Sequence, residues 1–334
     1  LQWGISQYEI KEVSNMSFLD FEKPIVELEN KLQDIKRMAA SGSRKVNMEP
    51  EINKLEQKLQ KMKEDVYKNL SAWQRVQIAR HPKRPYTLDY IRMIMTDFLE
   101  LHGDRLFADD FALIGGLAKI DGRNVMVLGH QKGRDTKENV MRNFGCAHPE
   151  GYRKAMRLMR LAQKFHVPII VFIDTPGAYP GVGAEERGQA QAIAENLRDM
   201  AEINVPIIAT IIGEGGSGGA LGIGVADRVL ILQNAYYSVI SPEGCASILW
   251  RSALKAPEAA EALKLTGEDL LKLGIVDEII PEPPGGAHRA PEKIAEVLSK
   301  SLIKHIDELS SVLPDVILEK RYNKYRKIGE FVEK

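Results

Sequence analysis

Residues 213–222, GEGGSGGALG, have the types needed to hold an oxygen that carries or develops negative charge. They follow the apolar run VPIIATII, so the spacing predicts a turn from a strand into a helix. Without side chains, a ligand can approach the main chain closely. N–H groups that open a helix have no partner inside it and point outward. One such donor is worth about 3 kcal/mol to a transition state. The plainer reading is a tight turn where the backbone crosses a neighbour. Two catalytic patterns overlap the same residues. Gly213, Gly215 and Gly218 match the dinucleotide fingerprint GxGxxG. That motif needs a full helix and an acid about 20 residues on, whereas only about nine residues separate Gly219 from the next apolar run. Gly215, Ser217 and Gly219 match the GxSxG nucleophile elbow. That motif needs a later histidine, and only His288 and His305 follow, the latter reading as a helix-surface residue.

Three further segments carry chemistry-bearing residues. DTPGAYPGVGAEERG at 174–188 also follows an apolar run, and its prolines and glycines fix a loop. Glu185 and Glu186 stand near a helix start, where negative charge is favoured. GHQKGRDTKENVMRNFG at 129–145 gathers His130, Lys132, Arg134, Lys137 and Arg142. Such a cluster suits a phosphate or carboxylate, or is a solvated basic surface. In SPEGCASILWR at 241–251, Ser241 can cap a helix, and Cys245 reads as packing. The histidines show no paired spacing and the two cysteines form no CxxC, so no metal site is expected on this chain.

The elements that must position these residues follow from periodicity. Apolar residues at spacings of three and four predict helices over 18–40 and 50–70, joined by a short polar linker into a helical hairpin. A helix is expected from Thr87, as its cap, to about Leu101, with Tyr90 and Ile91 turned inward. A β-hairpin is expected around Asp121 and Gly122. The centre is an internal repeat: helix, apolar strand and glycine-rich turn, twice, with the VPII tetrads at 167 and 205. Continuous apolar runs read as buried parallel strands, so the two glycine-rich loops should leave at the same end and lie side by side, where α/β ligands bind. RVLILQ at 228–233 and YYSVIS at 236–241 read as further strands. Residues 292–309 and about 312–334 read as helical, the last stretch charged enough to fray or to pack on a partner.

Composition sets the outer bounds. The chain has 334 residues, with 46 basic and 46 acidic side chains, so no nucleic-acid or membrane-surface partner is indicated by charge. Two cysteines fit a reducing, cytoplasmic setting. Residues 1–15 read as an extension outside the domain. The expected organisation is a hairpin and linker over 16–85, an α/β domain over 86–320 and a charged helical tail over 321–334.

Six blocks in order carry a resemblance: RPYTLDY at 84–90, GHQKGRDTKEN at 129–139, FGCAHPEGYRKA at 144–155, IDTPGAYPGVGAEERGQ at 173–189, IGEGGSGGALGIG at 212–224 and SVISPEGCASILW at 238–250. Together with SFLDFEKPIVELE at 17–29 they resemble the family of acetyl-coenzyme A carboxylase carboxyltransferase alpha subunits, over roughly 16–320. Departures are small-for-small changes, such as at Gly222. The resemblance implies an α/β, crotonase-like superhelix of ββα units, with the N-terminal hairpin and C-terminal helices appended. It implies transfer of a carboxyl group from N1-carboxybiotin, held on the biotin carboxyl carrier protein, to acetyl-coenzyme A, giving malonyl-coenzyme A for fatty-acid synthesis. The implied partners are a beta subunit, which carries the zinc and completes an alpha2beta2 heterotetramer, and biotin carboxylase in the wider complex. It implies that the N–H groups of Gly218 and Gly219 form the biotin-side oxyanion hole. Gly215, Gly216, Ser217, Gly177, Ala178, Tyr179, Lys132 and Arg134 are the expected binding residues around them. A self-contained acyl-coenzyme A hydratase or isomerase, and a non-catalytic scaffold, are the alternatives.

Overall fold

The computed structural model describes residues 18–40 and 48–329. The expected extension at 1–15, most of the 40–48 linker and the last five residues lie outside these. Up to Asn69 the chain forms one unit, and from Leu70 onward a second. The first unit is a pair of helices, α1 (Lys23–Ala40) and α2 (Glu49–Lys68). Ile25 and Leu32 are buried, as the periodicity requires. Lys36 to Glu56 and Lys63 to Glu29, each at 2.6 Å, join the two helices.

The second unit opens with α3 (Ala72–Ala79) and α4 (Thr87–Ile94), followed by β1 (Thr96–Glu100), β2 (Leu113–Ile120) and β3 (Arg123–His130). The central elements are α5 (Thr136–Met141), α6 (Pro149–Phe165), β4 (Ile169–Thr175), α7 (Val182–Glu186), α8 (Gln189–Met200), β5 (Ile207–Gly216) and α9 (Ser217–Leu221). Then come β6 (Arg228–Leu232), β7 (Tyr236–Ser238), α10 (Pro242–Trp250), α11 (Ala256–Ala262), α12 (Gly267–Lys272), β8 (Glu278–Ile280), α13 (Pro291–Ser310) and α14 (Pro314–Arg326). One mixed sheet runs β1-β2-β3-β4-β5-β6-β8, and β7 pairs with β5. The turn between β2 and β3 has positive φ at Asp121 (47°) and Gly122 (75°), as a two-residue hairpin demands. From β3 onward every pairing is parallel.

The internal repeat is visible as strand register. Ile169 pairs with Ile207 and Ile170 with Ile208, so the two VPII tetrads lie side by side on β4 and β5. Both strands are buried throughout, which explains their unbroken apolar runs. The register then slips: beyond Ile173 opposite Ile211, Thr175 stands opposite Gly215. α6 packs on α8 and on β2 and β3, which closes one helical layer over the sheet. No described helix is long and apolar enough to cross a membrane.

Three local expectations need correction. The helix from Thr87 stops at Ile94, because Met95 is extended and Thr96 starts a strand that pairs with β2. Thr87 is the first helical residue and not the cap; its hydroxyl donates to the His130 carbonyl at 2.6 Å, while the Asp89 carboxylate accepts the Tyr86 N–H at 2.8 Å. His305 is buried, with Nε2 2.8 Å from Glu278 Oε2. The apolar face of α13 fixes the helix position, and a carboxylate on β8 lets that face include an imidazole. Tyr90 and Ile91 turn inward as expected.

Candidate active site

β4 and β5 deliver the two glycine-rich loops to one end of the sheet, as parallel neighbours must. Their contact is backbone on backbone. A Cβ placed on Gly219 would sit 2.4 Å from the Gly177 carbonyl carbon and 2.5 Å from the Ala178 nitrogen. One on Gly216 would sit 2.2 Å from the Pro176 oxygen. These are the positions where glycine is required by close approach. Gly218 differs, since its nearest neighbour would be Ile193 at 3.9 Å. Ser217 turns the chain from β5 into α9 with φ +54°, and it is exposed. Gly218 and Gly219 follow in the first turn of α9, where a helix offers their N–H groups no internal acceptor.

The turn is held from beneath. The Tyr152 ring from α6 would lie 2.6 Å from a Cβ on Gly222, and its hydroxyl reaches the Gly219 carbonyl at 3.4 Å. Asn196 from α8 donates to the carbonyls of Gly222 (2.8 Å) and Tyr152 (2.9 Å). His130, at the end of β3, is fully buried beside the Gly219 backbone. Burial, with the Lys132 charge second, pushes its pKa down to about 3, so the imidazole is neutral.

Lys132 ties the two strand ends together. Its ammonium lies 2.7 Å from Asp174 at the end of β4 and 2.7 Å from Glu214 on β5. The register slip falls here, and Asp174 also accepts the Glu214 N–H at 3.0 Å. Arg80 and the Tyr236 hydroxyl each bond Glu214 at 2.7 Å. Burial alone would raise the Glu214 carboxyl, but Lys132 and Arg80 hold it down at about 2. Arg134 stacks its guanidinium 3.9 Å over the Tyr86 ring, and donates to the Pro82 and Arg84 carbonyls and the Asp89 carboxylate. The run of five basic groups is therefore not one basic surface. His130 is interior and neutral, Lys132 is neutralised by two carboxylates, and Arg142 caps the Phe111 carbonyl at 2.9 Å.

Tyr179 stacks on His148 with ring centroids 4.1 Å apart, so the 174–181 loop lies against the start of α6. Gln189 donates to the Ala147 and Tyr179 carbonyls and fixes that contact. Glu185 and Glu186 are exposed on α7. Ser241 caps α10 through the Gly244 N–H at 3.1 Å. On the other side of Ser217, an apolar cleft of about 300 Å³ opens between α9, Tyr237 and Val239.

The roles of several residues here were invisible to motif reading. Arg84 is fully buried, paired to Glu282 at 2.6 Å and donating to the Ile212 carbonyl at 2.7 Å. Its signal was present only as an arginine inside a block of the resemblance. Asp174, Glu214, Arg80, Tyr236, Tyr152 and Asn196 come from six separate stretches, and no spacing rule joins them.

A family model described as acetyl co-enzyme A carboxylase carboxyltransferase-like matches residues 18–329. The chain belongs to that family. It is 59% identical to the acetyl-coenzyme A carboxylase carboxyl transferase subunit alpha of Geobacter metallireducens, over 94% of this chain and 98% of that one. It is 56% identical to the subunit of the same name from Thermus thermophilus, over 94% and 99%. Among solved structures, a transcarboxylase 12S with methylmalonyl-coenzyme A and methylmalonic acid bound is 25% identical, with TM-score 0.50, over 64% of this chain and 41% of that one. The beta subunit of P. aeruginosa geranyl-CoA carboxylase shares the fold at TM-score 0.54 and 14% identity, over 73% and 46%. The fold of the family is thus the crotonase-like α/β one expected from the sequence blocks.

Proposed function

We propose that this chain is the alpha half of the carboxyltransferase of acetyl-coenzyme A carboxylase, and that it supplies the biotin-side oxyanion hole. The observation that carries the reading is the wedge of Gly216 and Gly219 against the 176–178 backbone, in a chain 59% identical to a named alpha subunit. Close packing on one side presents a preformed turn on the other, with open space at Gly218. Gly218 and Gly219 donate their N–H groups to the ureido oxygen of N1-carboxybiotin as charge develops there. The N–C bond to the carboxyl group breaks, and the carboxyl carbon bonds to the methyl carbon of acetyl-coenzyme A. The methyl proton goes to the ureido nitrogen. Such preorganised donors are worth about 3 kcal/mol each. Gly215, Gly216, Ser217, Gly177, Ala178 and Tyr179 form the walls. Lys132 serves the site by tying together the strand ends that carry those walls, and Arg134 by holding the 82–89 segment.

The acetyl-coenzyme A enolate needs its own hole, and we assign that to a beta subunit, which also carries the zinc. We assign that partner to the apolar surface on and beside α10, where Ile248 is 72% exposed and Leu254 89%, with Val239, Leu249 and Trp250 exposed beside them. The assay is malonyl-coenzyme A formation from carboxybiotin and acetyl-coenzyme A, with and without beta. Product is expected only with both chains. Turnover by this chain alone, or hydration or isomerisation of an acyl-coenzyme A, would support the self-contained alternative; no turnover with beta would support the scaffold.

A further inference from the structure

A second cavity, of about 410 Å³, lies between the loop after β1 and the outer faces of α6 and α8. None of the glycine-turn residues lines it. Four arginines do: Arg105 from the loop, and Arg153, Arg157 and Arg160 along α6. Two of them, Arg105 and Arg157, have no carboxylate within ion-pair distance among the described residues. Arg157 donates to the carbonyls of Gly103 at 3.0 Å and His102 at 3.1 Å. Arg105 donates to the same His102 carbonyl at 2.9 Å. Two guanidinium groups thus converge on one neutral oxygen. Burial and the Arg105 charge beside it both hold Arg157 below the usual arginine range, against Asp109 and Asp104.

Asp104, Glu195 and Asp199 line the cavity too, and they and Asp109 already have hydrogen-bond partners. Asp104 accepts the N–H groups of Leu106, Phe107 and Ala108 and the Arg153 Nε. Asp109 is taken by Lys154, His102 and the Gly103 N–H. Asp199 is shared by Arg160 and Arg198, and Glu195 accepts from Gln191. Arg105 and Arg157 lie side by side, and like charges so placed cost free energy that an anion between them would return. Guanidinium forks match the oxygens of phosphate in pairs.

We propose that this cavity is a binding site for a phosphate-class anion, held by Arg105 and Arg157 with Arg153 and Arg160 at its rim. The site needs no assumption about the reaction, so its test does not depend on the carboxyltransferase reading. Pyrophosphate is titrated into the full chain by calorimetry at constant ionic strength. One saturable site is expected. Arg157→Gln and, separately, Arg105→Gln should each raise Kd about tenfold or more, the loss expected of one charge-assisted contact. Arg105→Gln removes one bond to a loop carbonyl, so it tests the site if Arg157→Gln loosens the fold. Lys164→Gln, on α6 but outside the cavity, should leave Kd unchanged. Unsaturable binding, or arginine variants that bind like the parent, would overturn the proposal. Adenosine 3′,5′-bisphosphate and competition by acetyl-coenzyme A identify the source. Competition points to the phosphate end of a coenzyme, and its absence to a free phosphate compound.

Discussion

At the residue scale, the glycines of one turn do different jobs. Gly219 has no room for a side chain because backbone lies 2.4 Å from its would-be Cβ. Gly219→Val should therefore force the two loops apart and lower kcat at least about a hundredfold, the scale of losing one aligned oxyanion donor. Gly218→Ala meets only Ile193 at 3.9 Å, so its melting temperature should match the parent's and any loss should appear in turnover alone. Equal kcat in Gly219→Val and the parent would remove the turn from the active site. His130 gives a pH prediction. Its pKa is near 3 in the folded chain against an ordinary 6.5. Between those values the unfolded chain binds the extra proton, so stability is full above about 6.5 and drains as pH falls toward 3. Denaturant unfolding from pH 7 to 4 should show this slope, and His130→Asn should flatten it.

At the element scale, charges join what the sheet brings close. Lys132 spans the ends of β4 and β5 at the register slip. Lys132→Met would leave Asp174 and Glu214 facing each other without their shared cation, at a cost of about 3–5 kcal/mol. Chemical denaturation measures that, and an unchanged midpoint would mean the carboxylates find other partners. α14 follows the same logic. Its tail was expected to fray or to pack on a partner, yet Arg321 is 1% exposed, bonds both Asp227 oxygens, and donates to the Met200, Ile203 and Val205 carbonyls. Asp227 in turn accepts the N–H that starts β5 at Ile207. Arg321→Met should lower stability by about 3–5 kcal/mol, read as a fall in melting temperature.

At the scale of the whole molecule, the α/β unit keeps an apolar surface exposed on and beside α10. Ile248→Glu with Leu249→Glu should weaken association with beta, measured by sedimentation, while leaving the melting temperature of the isolated chain unchanged. Loss of stability in the isolated chain would instead make those residues part of its own packing.

The sequence by itself determined the repeat, its two buried strands and the glycine turn. These are written in local periodicity and in residue types with backbone consequences: 38 residues separate Ile169 from Ile207, and they become register partners. It also carried enough ordered blocks to point to the family. It misjudged Thr87 to Leu101, where a strand pairing overrode helical spacing, and the exposure of His305, where a distant carboxylate made burial affordable. Only the tertiary structure decided which of the basic residues at 129–145 face inward, because that depends on carboxylates 40 to 80 residues away. Lys132, bonded to Asp174 and Glu214, shows the reason. A charge in a sequence has a sign, but its partner is chosen by which strands lie side by side.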